Sequence, residues 1–378
     1  MPLTHPDPIW INRNEDLESS CQQWSKLPAV ALDTEFIRTD TFYPKPGLIQ
    51  LGTGQDVFLI DPLTIDQWQP FADFLENRNV IKVLHACSED LEVFKSLTGA
   101  VPNRLFDTQL AAAYANIGYS LGYQALLKQL LNIDVPKDET RSDWRQRPLT
   151  DAQIHYASLD VVHLLTVYQQ LIQLLSDKPH GDWVWEDCAT MTQGVLASDP
   201  DNAWKEVKRA WQLRPQQLAV LKALCIYREQ ESRRLDVPRN RVIAKGSLWP
   251  LARYQPKNKR ALSGVQDMKP GVLRGHGDAI LSIIAKATQT DKSQWPGTLP
   301  PPLPKSAKEY GKQIKDIMAK QAKTLQLPVE LLLPGKTTTP ILRSWLNHGA
   351  FSLPNSLNGW RRDVIGKPLI AQLNQITE

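Results

Sequence analysis

Cysteine is scarce in this chain. Cys21, Cys87, Cys188 and Cys225 stand far apart, with no CxxC pair among them. That spacing argues against a structural zinc site and against a disulfide framework. Free thiols fit a reducing compartment, so a cytoplasmic protein is expected. Long apolar runs are missing too. None approaches the roughly 20 residues that a membrane helix needs, so no membrane partner is expected. The opening stretch, Met1 to Pro8, has neither a basic region nor an apolar one, and no secretory signal is expected from it.

A strong net charge is also absent, at +4 over 378 residues, but the balance is uneven. Residues 1–203 hold 14 Lys and Arg against 28 Asp and Glu; residues 204–290 hold 18 against 6; residues 305–378 hold 11 against 5. The basic segments could attract a polyanion and the acidic part could hold cations. Charge that simply varies between domains is the plainer alternative.

Length suggests two or three domains. Residues 9–27 contain an amphipathic helix candidate, with Leu17, Cys21 and Trp24 at helical spacing. Strands are expected at Ala29–Leu32, Gly47–Thr53 and Asp56–Ile60, the last two joined as a hairpin through Gly52-Thr-Gly-Gln55. A helix over 64–76, a strand over Val80–Leu84 and a helix over His85–Leu97 follow. Leu105–Asp107 leads into a helix over Thr108–Ala115. Leu121–Leu131 and Ala152–Leu175 continue the helical pattern. Strands that first meander and then alternate with helices give an α/β domain with a mixed sheet. The expected division is 1–175 for this domain, 176–213 for a helical connector and 214–292 for a basic helical domain. A Pro-rich linker over 293–304 and a second helical domain over 305–378 complete it. The two basic units share a weak repeat in outline.

Three acidic constellations stand out. Asp33-Thr-Glu35 ends an apolar strand, and residues i and i+2 of a strand share a face. Two like charges this close repel unless a cation sits between them. Tyr156 and Asp160 are spaced i, i+4, so they share a helix face; an exposed Asp beside a core Tyr is the bland alternative. Asp90, early in its helix, competes with Glu89 and Glu92, and favourable charge in a first helical turn would explain all three. Together, four carboxylates can surround two divalent cations about 3.5–4 Å apart, a pair that activates water and stabilises a leaving oxygen. Hard oxygen ligands suit Mg2+ or Mn2+.

The set resembles the DEDD 3′→5′ exonucleases of the tyrosine subgroup, and among them ribonuclease D. The stretches carrying the likeness are "LDTEFIRTDTFYPKPGLIQL", "HACSEDLEVF" and "HYASLDVVHLLTVY", with "FDTQLAAA" and "RSDWRQRPL" between them. The two basic units are similar to the helicase-and-RNase-D C-terminal domain. The resemblance implies a ribonuclease H-like α/β exonuclease domain followed by two small all-α domains. It implies that Asp33 bridges both metals, that Glu35 and Asp160 hold the metal carrying the water, and that Asp90 holds the other through waters. Tyr156 would orient the nucleophile. Thr34 and Phe36 would touch the terminal nucleotide. Arg141 and Trp144 would clamp or stack on RNA, although Trp144 suits a core equally well. The implied reaction removes 5′-mononucleotides from RNA with a free 3′ end, such as precursor tRNA or small structured RNA. A monomer is expected. A DNA exonuclease, or a binding protein that has kept the fold without activity, are the rival readings.

Other residues suit humbler roles. His85 and His155 are not expected to be ligands. Asp107 suits a helix cap, and Asp143 a partner for its neighbours. Gly271–Gly277, "GVLRGHG", reads either as a phosphate-holding turn before a helix or as a plain loop.

Overall fold

The computed structural model describes residues 7–135, 142–197 and 200–377. The chain forms two compact units. One contains residues through Ile37, Pro46–Leu196 and the chain from Leu303 onward; the other contains Arg38–Lys45 and Ala197–Pro302.

The first unit is built on a six-stranded sheet. Its elements run β1 (Ile9–Ile11), α1 (Asn14–Trp24), β2 (Ala29–Ile37), β3 (Lys45–Gly52), β4 (Val57–Ile60), α2 (Gln69–Glu76), β5 (Ile81–Leu84), α3 (Ser88–Thr98) and β6 (Leu105–Asp107). The strand order is β1-β4-β3-β2-β5-β6. β3 and β4 pair antiparallel, whereas β1 on β4, β5 on β2 and β6 on β5 are parallel. The sheet is therefore mixed, as expected. Val30, Ala31 and Leu32 on β2, with Val83 and Leu84 on β5, are fully buried. Such continuous apolar runs belong to strands covered on both faces. The covering helices include α4 (Thr108–Tyr114), α5 (Tyr123–Leu131), α6 (Asp151–Val162), α7 (Leu164–Ser176) and α8 (Trp183–Leu196).

The helix expected within residues 9–27 runs Asn14–Trp24, with Leu17, Cys21 and Trp24 buried, and Ile9–Ile11 adds an unexpected strand beside Phe58–Ile60. Three residues are too few to show a strand's alternation. Two local expectations need correction beyond that strand. The helix expected from His85 starts at Ser88, because Ala86 turns left-handed at φ 55° and cannot lie in a right-handed helix. The helix expected over Ala152–Leu175 is two helices, broken at His163. No Gly or Pro marks that break, and the apolar pattern runs straight through it.

In the second unit, α9 (Pro215–Leu235), α10 (Arg239–Val242), α11 (Leu248–Tyr254), α12 (Lys259–Ser263) and α13 (Pro270–Gln289) enclose a core that includes Leu221, Leu224, Leu251 and Ile280. Gly271–Gly277 lies within α13, so it forms neither the turn nor the loop that its glycines suggest. Pro270 presets the first helical turn.

The chain then returns to the first unit as α14 (Ala307–Leu325), α15 (Val329–Leu332), α16 (Thr338–His348), a π-helical turn over Arg361–Gly366 and α17 (Lys367–Thr377). The corner after α9 recurs here. α9 ends at left-handed Asp236, then passes through Val237-Pro238 into α10; α14 ends at left-handed Gln326, then passes through Leu327-Pro328 into α15. Val237 N–H donates to Ser232 O and Leu327 N–H to Ala322 O, both at 3.0 Å. Arg241 N–H donates to Pro238 O and Leu331 N–H to Pro328 O. One interval in sequence separates every pair.

Asp187 on α8 fastens this C-terminal segment. It accepts from the Tyr114 hydroxyl at 2.6 Å, from the Trp360 indole at 3.3 Å and from both terminal nitrogens of Arg361. Trp183 and Trp360 stack with ring centroids 4.0 Å apart.

Candidate active site

The site starts from β2. Asp33 and Glu35 leave one side of the strand, and α6 brings Asp160 to them. Ligand oxygens of these three carboxylates all lie within 4.8 Å of one another. Two features set α6 there. Its N-terminus is closed by a capping box, with Gln153 N–H donating to the Thr150 hydroxyl and Thr150 N–H to Gln153 Oε1. Farther along, Gly52 at the end of β3 lets the helix come close. A Cβ at Gly52 would stand 2.9 Å from the Val161 carbonyl oxygen.

Asp90 reaches the cluster from α3. Its own position depends on Asp107, whose carboxylate accepts from Cys87 N–H at 2.9 Å and so holds the turn that launches α3. The same carboxylate accepts from Gln109 and Leu110 N–H, capping α4. Asp90 is outside the compact trio, and the Thr34 hydroxyl donates to it. Tyr156 stands one helical turn before Asp160 on α6.

The electrostatics are those of negative charge confined without a counter-ion. Asp33, Glu35 and Asp160 are each partly accessible, as a cation site must be, while protein packs densely around them. Burial, then Asp160, Asp90 and Glu35, push the Asp33 carboxyl well above the ordinary carboxylate range. Burial, with Asp160 and Asp90, pushes Glu35 up to about 9. Asp160 is pushed up to about 8 by burial and Asp90. Burial raises Asp90 to about 6, against the opposing hydrogen bond from Thr34. Burial and the nearby carboxylates also raise the Tyr156 hydroxyl. That phenol therefore stays protonated and acts as a donor. Three carboxylates this close are a hard-oxygen donor set that fits a divalent cation such as Mg2+ or Mn2+.

The remaining sequence candidates divide. Thr34 is 6% exposed and gives its hydroxyl to Asp90, which suits holding that carboxylate rather than a nucleotide. Phe36 is partly exposed beside the pair. Trp144 is 2% exposed and packs on the Tyr156 ring with centroids 6.0 Å apart, so it braces the tyrosine rather than offering a face to RNA. Arg141 lies outside the described residues. His85 is satisfied, its ring 2.9 Å from the Thr108 hydroxyl and 3.1 Å from Leu121 O. Asp143 accepts from Arg145 N–H. Sequence reasoning missed Tyr123. Its hydroxyl donates to Leu159 O at 3.2 Å, one residue before Asp160, and it feels both Asp160 and Asp33. An aromatic inside an ordinary apolar helix gives no signal of that kind.

Comparison with known proteins follows this geometry. Residues 8–176 match the family described as "3'-5' exonuclease", and residues 217–284 match the HRDC domain. The ribonuclease D of Pseudomonas paraeruginosa is 48% identical over 98% of this chain and 99% of its own length. That of Escherichia coli is 34% identical over 95% of this chain and 96% of its own. The crystal structure of the Escherichia coli enzyme, described as an exoribonuclease involved in structured RNA processing, superposes with a TM-score of 0.88. That match has 33% identity and covers 98% of this chain and 99% of the other.

Proposed function

Because the chain belongs to the ribonuclease D family of 3′→5′ exoribonucleases, we propose that it shortens RNA from a free 3′ end by two-metal-ion hydrolysis, releasing 5′-mononucleotides. The observation that carries this reading is the convergence of Asp33, Glu35 and Asp160 within 4.8 Å. Their raised proton affinities mark a site that waits for positive charge. Asp33, Glu35 and Asp160, with Asp90 beside them, would hold the Mg2+ or Mn2+ ions. When bound, such a pair activates water and stabilises the departing 3′ oxygen. Tyr156 donates its hydroxyl hydrogen bond to the attacking water and fixes its line of approach. Thr34 and Asp107 keep Asp90 in place.

The natural substrates proposed are precursor tRNAs and other small structured RNAs, whose folded stems would stop trimming. The domain division is part of the same reading. The HRDC match covers 217–284, and the recurrent corner at Asp236 and Gln326 supports a second, divergent copy over 305–378. Among the described residues, no helix is long and apolar enough to cross a membrane.

The test uses a 5′-labelled tRNA with a short extra 3′ tail, incubated with Mn2+ or Mg2+, with chelator, and with Asp33→Asn protein. Metal-dependent shortening one nucleotide at a time, absent in the variant, is the expected result. No shortening by folded wild-type protein with either metal would overturn the reading.

A further inference from the structure

Gln50 interrupts an apolar strand. It lies on β3 between Ile49 and Leu51, and it is fully buried. Both polar atoms of its carboxamide, Nε2 and Oε1, are without a hydrogen-bond partner among the described residues. A buried amide is ordinarily bonded, because leaving it unpaired forfeits the hydrogen bonds that water gave it. An apolar residue of the same shape would avoid that cost.

The sheet places this amide beside the carboxylates. β2 and β3 are hydrogen-bonded neighbours. Residues 38–44 between them are too few for a crossover, so the two strands run antiparallel. A Cβ at Gly52 would meet the Ala31 Cβ at 3.4 Å, which sets Ala31 opposite Gly52. Two residues along from that pair, Asp33 stands opposite Gln50, on the face that α6 covers. The other neighbours of Gln50 on this face are Leu48, Gly52 and, across on β4, Leu59. Of the four, Asp33 alone carries a hydrogen-bonding side chain. Directly opposed residues hold their Cβ atoms about 4.5–5.5 Å apart, a span that a Gln side chain can bridge.

We infer that Gln50 is a positioning residue for Asp33: when cations occupy the carboxylate group, its amide N–H donates to Asp33 and fixes the direction in which that carboxylate turns. An ionised carboxylate has several acceptor positions, so one that faces a cation still has room for a donor. A partner that orients a ligand from behind in this way raises the affinity of the site without touching the metal. The inference rests on the metal reading of Asp33, Glu35 and Asp160, and the test separates the two.

Gln50→Met keeps the length of the side chain and removes the amide. Mn2+ affinity is measured by titration calorimetry, and melting temperature with chelator and with Mn2+, all in the full-length protein. With chelator the variant should melt no lower than wild type, because an unpaired amide has gone. Its Mn2+ affinity should fall about 10–100-fold, and Mn2+ should raise its melting temperature less than that of wild type. With RNA, kcat should fall while KM changes little. Gln50→Leu should show the same loss of affinity, so that the fit of one side chain does not decide the result. Gln313→Met, on α14, removes another amide whose oxygen has no partner, far along the chain from the carboxylates, and should leave Mn2+ affinity alone. Both Gln50 variants melting far lower with chelator would make the amide merely structural, and unchanged Mn2+ affinity would mean that Asp33 does not depend on it; either overturns the inference. If wild-type protein itself binds no Mn2+, the metal reading fails and this inference falls with it.

Discussion

Asp33 on β2 and Asp160 on α6 hold carboxylate oxygens within 4.8 Å of one another, with Glu35 completing the group. Charges so placed oppose folding unless a cation or a proton joins them. Asp160→Asn removes one of the charges, so without metal the variant should melt at a higher temperature than wild type. It should also lose exonuclease activity and the stabilisation that Mn2+ gives the wild-type chain. Thermal melts with chelator and with Mn2+, run beside the RNA assay, check all three.

The sign of the pH dependence follows from the same group. Glu35, Asp160 and Asp90 are pushed up to about 9, 8 and 6 in the folded state. Between the ordinary carboxylate range and those values the folded chain binds more protons than the unfolded one. Metal-free stability from these groups therefore falls as pH rises through that window. Cations need the ionised form, so their binding should release protons, more at pH near 6 than above 9. Titration calorimetry in buffers of different ionisation enthalpy counts those protons. A count independent of pH would contradict the assignment.

Tyr156 shares a helix face with Asp160, and its raised hydroxyl pKa keeps it a donor. Tyr156→Phe should lower kcat by about 100-fold, the scale of a misaligned reactant, while KM for RNA and Mn2+ affinity change little. Single-turnover kinetics and a metal titration separate those effects. A matching loss of metal affinity would show that the tyrosine acts only by packing.

Gly52 is where the sheet and α6 meet most closely. In Gly52→Ala the new Cβ would lie 2.9 Å from the Val161 carbonyl oxygen, so the helix has to shift. Overpacking of this kind costs about 1–3 kcal/mol. Because the shifted helix carries Asp160, Mn2+ affinity should fall as well. Urea unfolding and a metal titration on the same sample test both. Lost stability with unchanged affinity would place the strain elsewhere.

The acidic residues were legible because their spacing matches the period of their elements: i, i+2 on a strand for Asp33 and Glu35, i, i+4 on a helix for Tyr156 and Asp160. The contacts that support them were not. Thr34 to Asp90, Asp107 to Cys87 and Tyr123 to Leu159 join residues distant in sequence, and no local pattern announces such partners. Backbone conformation hid other features. Ala86 turns left-handed without being a glycine, and α6 ends at His163 inside an apolar run. The glycines of "GVLRGHG" pointed the wrong way, because Pro270 and the packing of the following residues carry the helix through them.

Arg361 and Asp187 give a prediction about stability alone. Asp187 is 8% exposed and depends on Arg361 for its counter-charge, while Tyr114 and Trp360 supply only neutral donors. Removing one partner of a buried pair strands the other, which costs about 3–5 kcal/mol. Arg361→Gln should therefore lower the urea midpoint sharply. Asp187→Asn with Arg361→Gln together should recover part of the loss, because no charge is left stranded. Neither residue belongs to the carboxylate group, so kcat per folded molecule should hold under conditions where the variants remain native. If the double variant is no more stable than Arg361→Gln, the stranded charge is not what the single substitution exposes.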